Sequence, residues 1–293
     1  MKYQNNRAIK IIFILFALLV LSCSQENRYR AVKNLNISMT PGQNEKFLRA
    51  KIQPLASYIQ QRTGIKTTIK VPDSYEQLID WFKDQQVDLV LFGGATYIKA
   101  HQISGALPLV MRDIDTKFRS VALTQIENPA NSLQDLKGSS VAFGSPLSTS
   151  GHFMPRYFFQ SENINAEEFF STIEYSGAHD VTANWVQDGK VDVGLANYSI
   201  IKEMFLDKRL SKEKVKIIWE SPFYADYVWA IQADIDKKQI TSIRDSFLQL
   251  SSDQSNKDLL RNLGANYYIP ASHDDFKNLE EIIIRFDKNK PTK

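Results

Sequence analysis

The pattern Trp81-x-x-Asp84-x-x-Val87-Asp88-x-x-Leu91 returns as Trp185-x-x-Asp188-x-x-Val191-Asp192-x-x-Leu195, at a constant offset of 104 residues. Each copy reads as the end of a helix, a tight turn and a short apolar strand. Each strand then runs into a polar or glycine-rich segment, Gly93-Gly94-Ala95-Thr96-Tyr97 in the first copy and Asn197-Tyr198-Ser199 in the second. Two units built alike are the economical explanation, and 293 residues suit two domains of ~100–200 residues. Ligands in open α/β sheets sit beyond the carboxyl ends of the strands. Two such units facing one another would bring both polar segments to a shared cleft.

The surrounding pattern alternates strands with helices. Val32–Met39 is strand-like, and Leu48, Ile52, Leu55 and Ile59 put one apolar face on a helix predicted over Glu45–Thr63, with Gly64 as its C-cap. Pro54 inside it predicts a kink or a late start. Lys66–Val71 reads as a short strand. Ser74-x-x-Gln77 has capping-box form and opens a helix to about Phe82, before the apolar strand Val87–Phe92. Phe276, Leu279, Ile283 and Phe286 share one face of a C-terminal helix. Strand-helix-strand order with short connections argues for parallel α/β layers.

The N-terminus carries Lys2, Arg7 and Lys10, then the uninterrupted apolar run Ile11–Leu21, then Ser22-Cys23. That is a charged n-region, a short h-region and a small-residue cleavage site, so residues 1–22 read as a signal peptide. As a helix the run would rise only ~16 Å against a hydrocarbon core of ~30 Å. Val20-Leu21-Ser22-Cys23 resembles a bacterial lipobox, which makes Cys23 the lipid-bearing residue and 23–29 a tether. Cys23 is the only cysteine, which excludes an internal disulfide, a thiol metal site elsewhere and a second Cys nucleophile. The net charge of +3 falls to zero once the signal leaves, and no basic run of the kind a nucleic-acid binder needs is present.

Phe143-Gly-Ser-Pro-Leu-Ser-Thr-Ser-Gly-His-Phe-Met-Pro155 carries the most chemistry. An apolar strand enters a small-residue loop, and helix-like residues follow. Ser148, Thr149, Ser150 and Gly151 would stand at a helix N-terminus, where backbone N–H groups lack intrahelical partners and the dipole is positive. Hydroxyls add donors, and glycine lets the backbone approach a ligand. An anion site and an ordinary N-cap both fit this pattern.

Ser148-Thr-Ser-Gly-x-x-x-Pro155 resembles the oxyanion-binding motif of the phosphonate/phosphite/phosphate-binding proteins of ABC importers. Leu136–Phe143, Val87-Asp88 leading to Phe92-Gly93, Ser176-Gly-Ala-His179-Asp180 and Ile218-Trp-Glu-Ser-Pro222 extend the likeness over most of the chain after the signal. The resemblance implies an α/β, two-lobed type II periplasmic-binding-protein fold with a two-strand hinge. By that analogy lobe 1 is 30–124 plus 229–293, and lobe 2 is 125–228. It also implies that Ser148, Thr149, Ser150 and Gly151 hold a phosphorus oxyanion, with His179 donating a ring N–H. An oxyanion beside His179 should raise its pKa. Tyr75 is either a lobe-1 contact closing the pocket or a core aromatic beside Leu78, Ile79 and Phe82. Phe118 and Tyr97 are further pocket-wall candidates. Where aminoalkylphosphonate binders present two acids, this chain has neutral Ser199 and Asp226, which favours a compact ligand. Asp226 is open to a second reading as a turn cap.

The resemblance therefore implies an extracytoplasmic solute-binding component, with an ABC permease as partner, a lipid anchor to the membrane, a monomeric state and no cofactor or metal. A sensory lipoprotein binding the same ligands is the alternative. An envelope hydrolase is a third class, but no His-Glu-x-x-His, Gly-x-Ser-x-Gly or P-loop occurs, and His101, His152, His179 and His273 are scattered.

Overall fold

The computed structural model describes residues 29–288, so the signal segment and Cys23 lie outside the described residues, with all of the tether but Tyr29. Strand β1 (Asn34–Met39) leads to helix α1 (Glu45–Thr63), β2 (Lys66–Ile69), α2 (Tyr75–Lys83), β3 (Leu89–Phe92), α3 (Gly94–Ser104) and β4 (Leu107–Arg112). Next come β5 (Ser120–Gln125), β6 (Ser140–Phe143), and a π-helical turn (Thr149–Phe153) running straight into α4 (Met154–Ser161). These are followed by a short α5 (Ala166–Phe169), β7 (Thr172–Tyr175), α6 (His179–Gln187), β8 (Val193–Asn197), α7 (Tyr198–Leu206) and β9 (Val215–Glu220). The chain returns through β10 (Val228–Ile231), α8 (Lys237–Leu248), α9 (Lys257–Leu263), β11 (Tyr268–Pro270) and α10 (Lys277–Lys288).

Two sheets result, β11-β4-β10-β3-β1-β2 and β7-β6-β8-β5-β9. In the first, β1 pairs in parallel with β2 and β3, and β10 runs antiparallel between β3 and β4. In the second, β6 pairs in parallel with β7 and β8, and β5 runs antiparallel between β8 and β9. Each sheet is covered on both faces. Along β10, Trp229 and Ile231 pack with Ile52 and Phe247 on one side, while Val228 and Ala230 pack with Phe82 and Phe276 on the other. Strands buried on both faces are apolar at every position, which is why Leu89–Phe92 reads as a continuous run.

The 104-residue echo is a structural repeat. Gln85 and Gly189 occupy equivalent turn positions at φ 55° and 70°. Asp88 accepts the N–H of Asn36 on β1 at 2.8 Å, and Asp192 accepts the N–H of Ser140 on β6 at 2.7 Å. Each aspartate thus ties its strand to the parallel neighbour in its own sheet.

Several expectations are corrected. The division expected after residue 124 falls inside β5, whose pairing is wholly within the second sheet. The crossing segments instead meet at Phe118 and Tyr224, joined by N–H···O bonds of 2.8 and 3.2 Å. Pro54 neither delays nor interrupts α1, because it lies on the exposed face, where water can satisfy the Ala50 carbonyl freed by the missing N–H. The capping box at α2 is half made: Ser74 accepts the Gln77 N–H at 3.1 Å, but the Gln77 side chain takes the N–H of Asp73.

Helix α6 lies so close to β8 that a Cβ on Gly194 would stand 2.7 Å from Val186 Cγ2 and 2.8 Å from Thr182 Cγ2. Overpacking a core typically costs ~1–3 kcal/mol. Gly194→Val should lower stability by about that much in urea unfolding, whereas Gly138→Val, with nothing within 4 Å, tests the left-handed backbone alone.

Candidate functional site

The carboxyl ends of β1, β3, β6, β7 and β8 all feed loops that meet between the two sheets. Strand β6 delivers Gly144, whose N–H bonds the carbonyl of Gly151 at 3.0 Å and folds the Ser145–Ser148 loop back on the π turn. Ser148 is the N-cap, its Oγ accepting the Gly151 N–H at 2.9 Å. The N–H groups of Thr149 and Ser150 precede any intrahelical acceptor and stay available. A nest of donors results, closed from solvent: Ser148, Thr149 and Ser150 are all buried.

His179 begins α6, its N–H bonded to the carbonyl of Gly42 at 3.0 Å. Its ring is gripped by glycines. A Cβ on Gly42 would stand 3.2 Å from His179 Cδ2, and one on Gly151 would stand 3.0 Å from His179 Cε1 and from Ser148 Oγ. Nδ1 accepts the Asn197 N–H at 3.3 Å, which assigns the proton to Nε2. Nε2 is buried without a hydrogen-bond partner among the described residues. Burial pushes the His179 pKa down to about 4. The ring is therefore neutral, because nothing in the described residues repays the desolvation of a charge.

Tyr75 is buried at the start of α2, and its hydroxyl reaches the Ser148 hydroxyl and lies 3.6 Å from the Cβ position of Gly42. Burial raises its pKa, so it stands as a neutral donor. Tyr224 likewise reaches Ser150, and its hydroxyl is 2.7 Å from Ser120 Oγ. The Thr149 hydroxyl is engaged between the lobes, accepting the Ala95 N–H at 2.9 Å and bonding the Asp226 carboxylate. Asp226 Oδ1 accepts the Gly94 N–H at 2.7 Å, so the N-terminus of α3 holds a carboxylate. Tyr97, expected on the pocket wall, is buried in the core with its hydroxyl on His273 Nδ1 at 3.0 Å.

Sequence reasoning passed over Gly42, Tyr224 and Tyr227 but had put Asn197 in a polar segment at the shared cleft. Asn197 Nδ2 donates to the Tyr227 hydroxyl at 3.1 Å. Together with Gly42 this pair lines an open interlobe cavity of about 630 Å³ that none of Tyr75, Ser148–Gly151, His179 and Asp226 lines. Lys51, Arg112, Lys117, Arg119 and Lys202 face this outer cavity, against Glu203. Phe118, expected on the wall of the ligand pocket, lines this outer cavity instead. Asn197 ends the second copy of the repeat where Gly93 ends the first. The lobes are in contact around the nest: Lys51 bonds Glu203 at 3.0 Å, Asn44 N–H bonds Asp180 at 2.9 Å, and Arg209 stacks over Phe47 at 4.2 Å.

A family model described as the periplasmic substrate-binding protein of ABC phosphonate transporters matches residues 37–276. The chain belongs to this family. It is thus an extracytoplasmic substrate-binding protein of transport, not an enzyme. It is 26% identical over 292 residues to the probable ABC transporter phosphite binding protein PhnD1 of Prochlorococcus marinus, covering 94% of this chain and 97% of that one. The phosphate-import protein PhnD of Mycolicibacterium smegmatis is 25% identical over 269 residues, covering 85% of this chain and 84% of that one. The solved structure of PhnD1 in complex with methylphosphonate superposes with a TM-score of 0.82 at 26% identity, covering 87% of this chain and 99% of that one. A binding protein of an ABC phosphonate transporter from Pseudomonas aeruginosa, at 19% identity, shares the fold with a TM-score of 0.81 over 87% of each chain. The two-lobed type II fold is thereby established.

A pKa lowered by folding makes neutral His179 a stabilising group above its ordinary value of 6.5, and that contribution is lost as pH falls through 6.5 to about 4. Asp226, raised from 3.8 to about 7, loses stability in the opposite direction as pH rises. The stability of the wild type minus that of His179→Gln isolates the first effect. This difference should shrink steadily on acidification over that window in urea unfolding at matched ionic strength.

Proposed function

We propose that this chain delivers a small phosphorus oxyanion (phosphonate, phosphite or phosphate) to an ABC permease, binding it in the nest between the lobes. The observation carrying this reading is the buried, unpartnered His179 Nε2–H set beside the free first-turn amides of Thr149 and Ser150 and the hydroxyls of Ser148, Ser150 and Tyr75. These are neutral donors around one point, and an oxyanion is the species that needs donors and supplies only acceptors. Hydrogen bonds to a charged oxygen contribute about 1.5–3 kcal/mol each, and a helix N-terminus up to ~2, so no cation is required. The names of PhnD1 and its phosphate-import relative, and the methylphosphonate in the PhnD1 structure, support the same ligand class.

A compact ligand suits the site because Gly42, Asn197 and Tyr227 separate the buried nest from the outer cavity. Ser199 faces that cavity as a neutral group where an amine would need an acid. Lys117 and Lys202 at the same cavity would attract anions to the mouth without touching the bound one. The protein acts as a monomer, held to the membrane by lipid on Cys23 and presenting the closed lobes to its permease.

Calorimetry on the protein in detergent, with phosphate, phosphite, methylphosphonate and 2-aminoethylphosphonate, tests the ligand class. At least one of the first three should bind, and Ser150→Ala should weaken it about tenfold to a hundredfold, since ~1.4 kcal/mol is one decade. Silence with all four ligands would remove the reading. The anchor has a separate test: Cys23→Ser should abolish fatty-acid labelling in cells, and equal labelling of both forms would refute it.

A further inference from the structure

Among the polar groups that close on the nest, Asp226 has the wrong sign for an anion site. It is 1% exposed, and its carboxylate is half satisfied. Oδ1 takes the Gly94 N–H at 2.7 Å, and the Tyr227 N–H and the Thr149 hydroxyl bond the carboxylate as well. Oδ2 is buried with no hydrogen-bond partner among the described residues. The carboxylate stands at the oxyanion motif itself: a Cβ on Gly93 would be 3.5 Å from Thr149 Oγ1 and 3.6 Å from Asp226 Oδ1.

The groups facing it offer no positive charge to Oδ2. Tyr75 comes from α2, and Tyr224 and Tyr227 from its own segment; burial raises all three, so they are neutral. Asp115, whose carbonyl accepts the Asp226 N–H at 3.0 Å, is itself an acid, and its carboxylate is held by Arg112 at 2.6 Å. A naked carboxylate oxygen here would repel every oxygen of a bound anion, unless a proton lies between them.

We propose that Asp226 Oδ2 and one oxygen of the bound phosphorus oxyanion share a single proton, so that the site takes up one proton from solvent when it binds a fully ionised phosphonate. This deepens the reading of the nest as a phosphorus-oxyanion site and rests on it. The balance is simple: a dianionic phosphonate, an ionised Asp226 and one solvent proton give a complex of two negative charges with a P–O–H–O–C link, and no other bond changes. Burial pushes the free Asp226 carboxyl up to about 7, which eases the uptake. The competing role for Oδ2 is to seat a ligand ammonium. Its position beside Thr149, rather than on the outer cavity with Ser199, argues against that.

The test uses the full chain in detergent with methylphosphonate as probe. Binding enthalpy at about pH 8.5 in two buffers of different ionisation enthalpy gives the number of protons taken up. Wild type should take up close to one proton, and its affinity should fall about tenfold per pH unit above that point. Asp226→Asn, whose amide is a fixed donor, should take up close to none and lose the slope, while His179→Gln should keep the uptake. Wild-type binding without proton uptake overturns the proposal even if the Asn variant is unusable, and leaves the ligand class standing. Uptake that survives in Asp226→Asn and vanishes in His179→Gln overturns it in favour of the imidazole. Binding of 2-aminoethylphosphonate alone overturns it in favour of an ammonium seat, and failure of all phosphorus oxyanions overturns the ligand reading along with it.

Discussion

The site depends on unsatisfied backbone N–H groups at helix starts. Strands that lie parallel within a sheet send their following helices away from the same edge, so their amide-bearing N-termini gather there. Helices α2 and α3 do this on the first sheet, and the π turn leading to α4, α6 and α7 do it on the second. When the two edges face each other, five helix starts meet in one buried volume. Such a place is hostile to cations and needs negative charge, which makes lysine or arginine unnecessary as a ligand.

Those five starts are not left equally empty. The first sheet's α3 is already occupied, its Gly94 amide holding Asp226 and its Ala95 amide holding Thr149. The α6 amide of His179 is spent on the Gly42 carbonyl, and the Asn197 amide before α7 on the His179 ring. The π turn keeps the amides of Thr149 and Ser150 free. One helix end thus carries a resident carboxylate, while the facing one keeps its first amides unspent among the described residues. The same cross-lobe bonds make the nest a product of closure. Gly42, Tyr75, Gly94 and Ala95 come from one sheet's loops, and Ser148–Gly151 and His179 from the other's.

Most of this scaffold was legible in the residues. Periodicity located α1 to the residue, and the repeat at Trp81 and Trp185 revealed two like units because each Asp-bearing turn performs the same bond, Asp88 to Asn36 and Asp192 to Ser140. The glycine and hydroxyl run at 148–151 announced a helix start with free amides. Tyr97 misled because an aromatic after a glycine-rich turn looks the same whether it faces a cleft or a core. The hinge was misplaced because β5 mixes polar and apolar residues, though nearly all of them are buried, and gives no sign of which sheet it joins.

The sequence by itself determined the elements, the existence of two α/β units and the presence of a donor-rich helix start, since these follow from local propensity, periodicity and turn chemistry. Only the tertiary structure decided that Tyr75 meets Ser148, that His179 is neutral with its Nε2–H unspent among the described residues, and that Asp226 lies beside Thr149 at the N-terminus of α3. Each of those facts is a contact between residues far apart in the chain. Each depends on burial as well, because the protonation state of a histidine or an aspartate is set by what replaces water around it, and no spacing of residues encodes that.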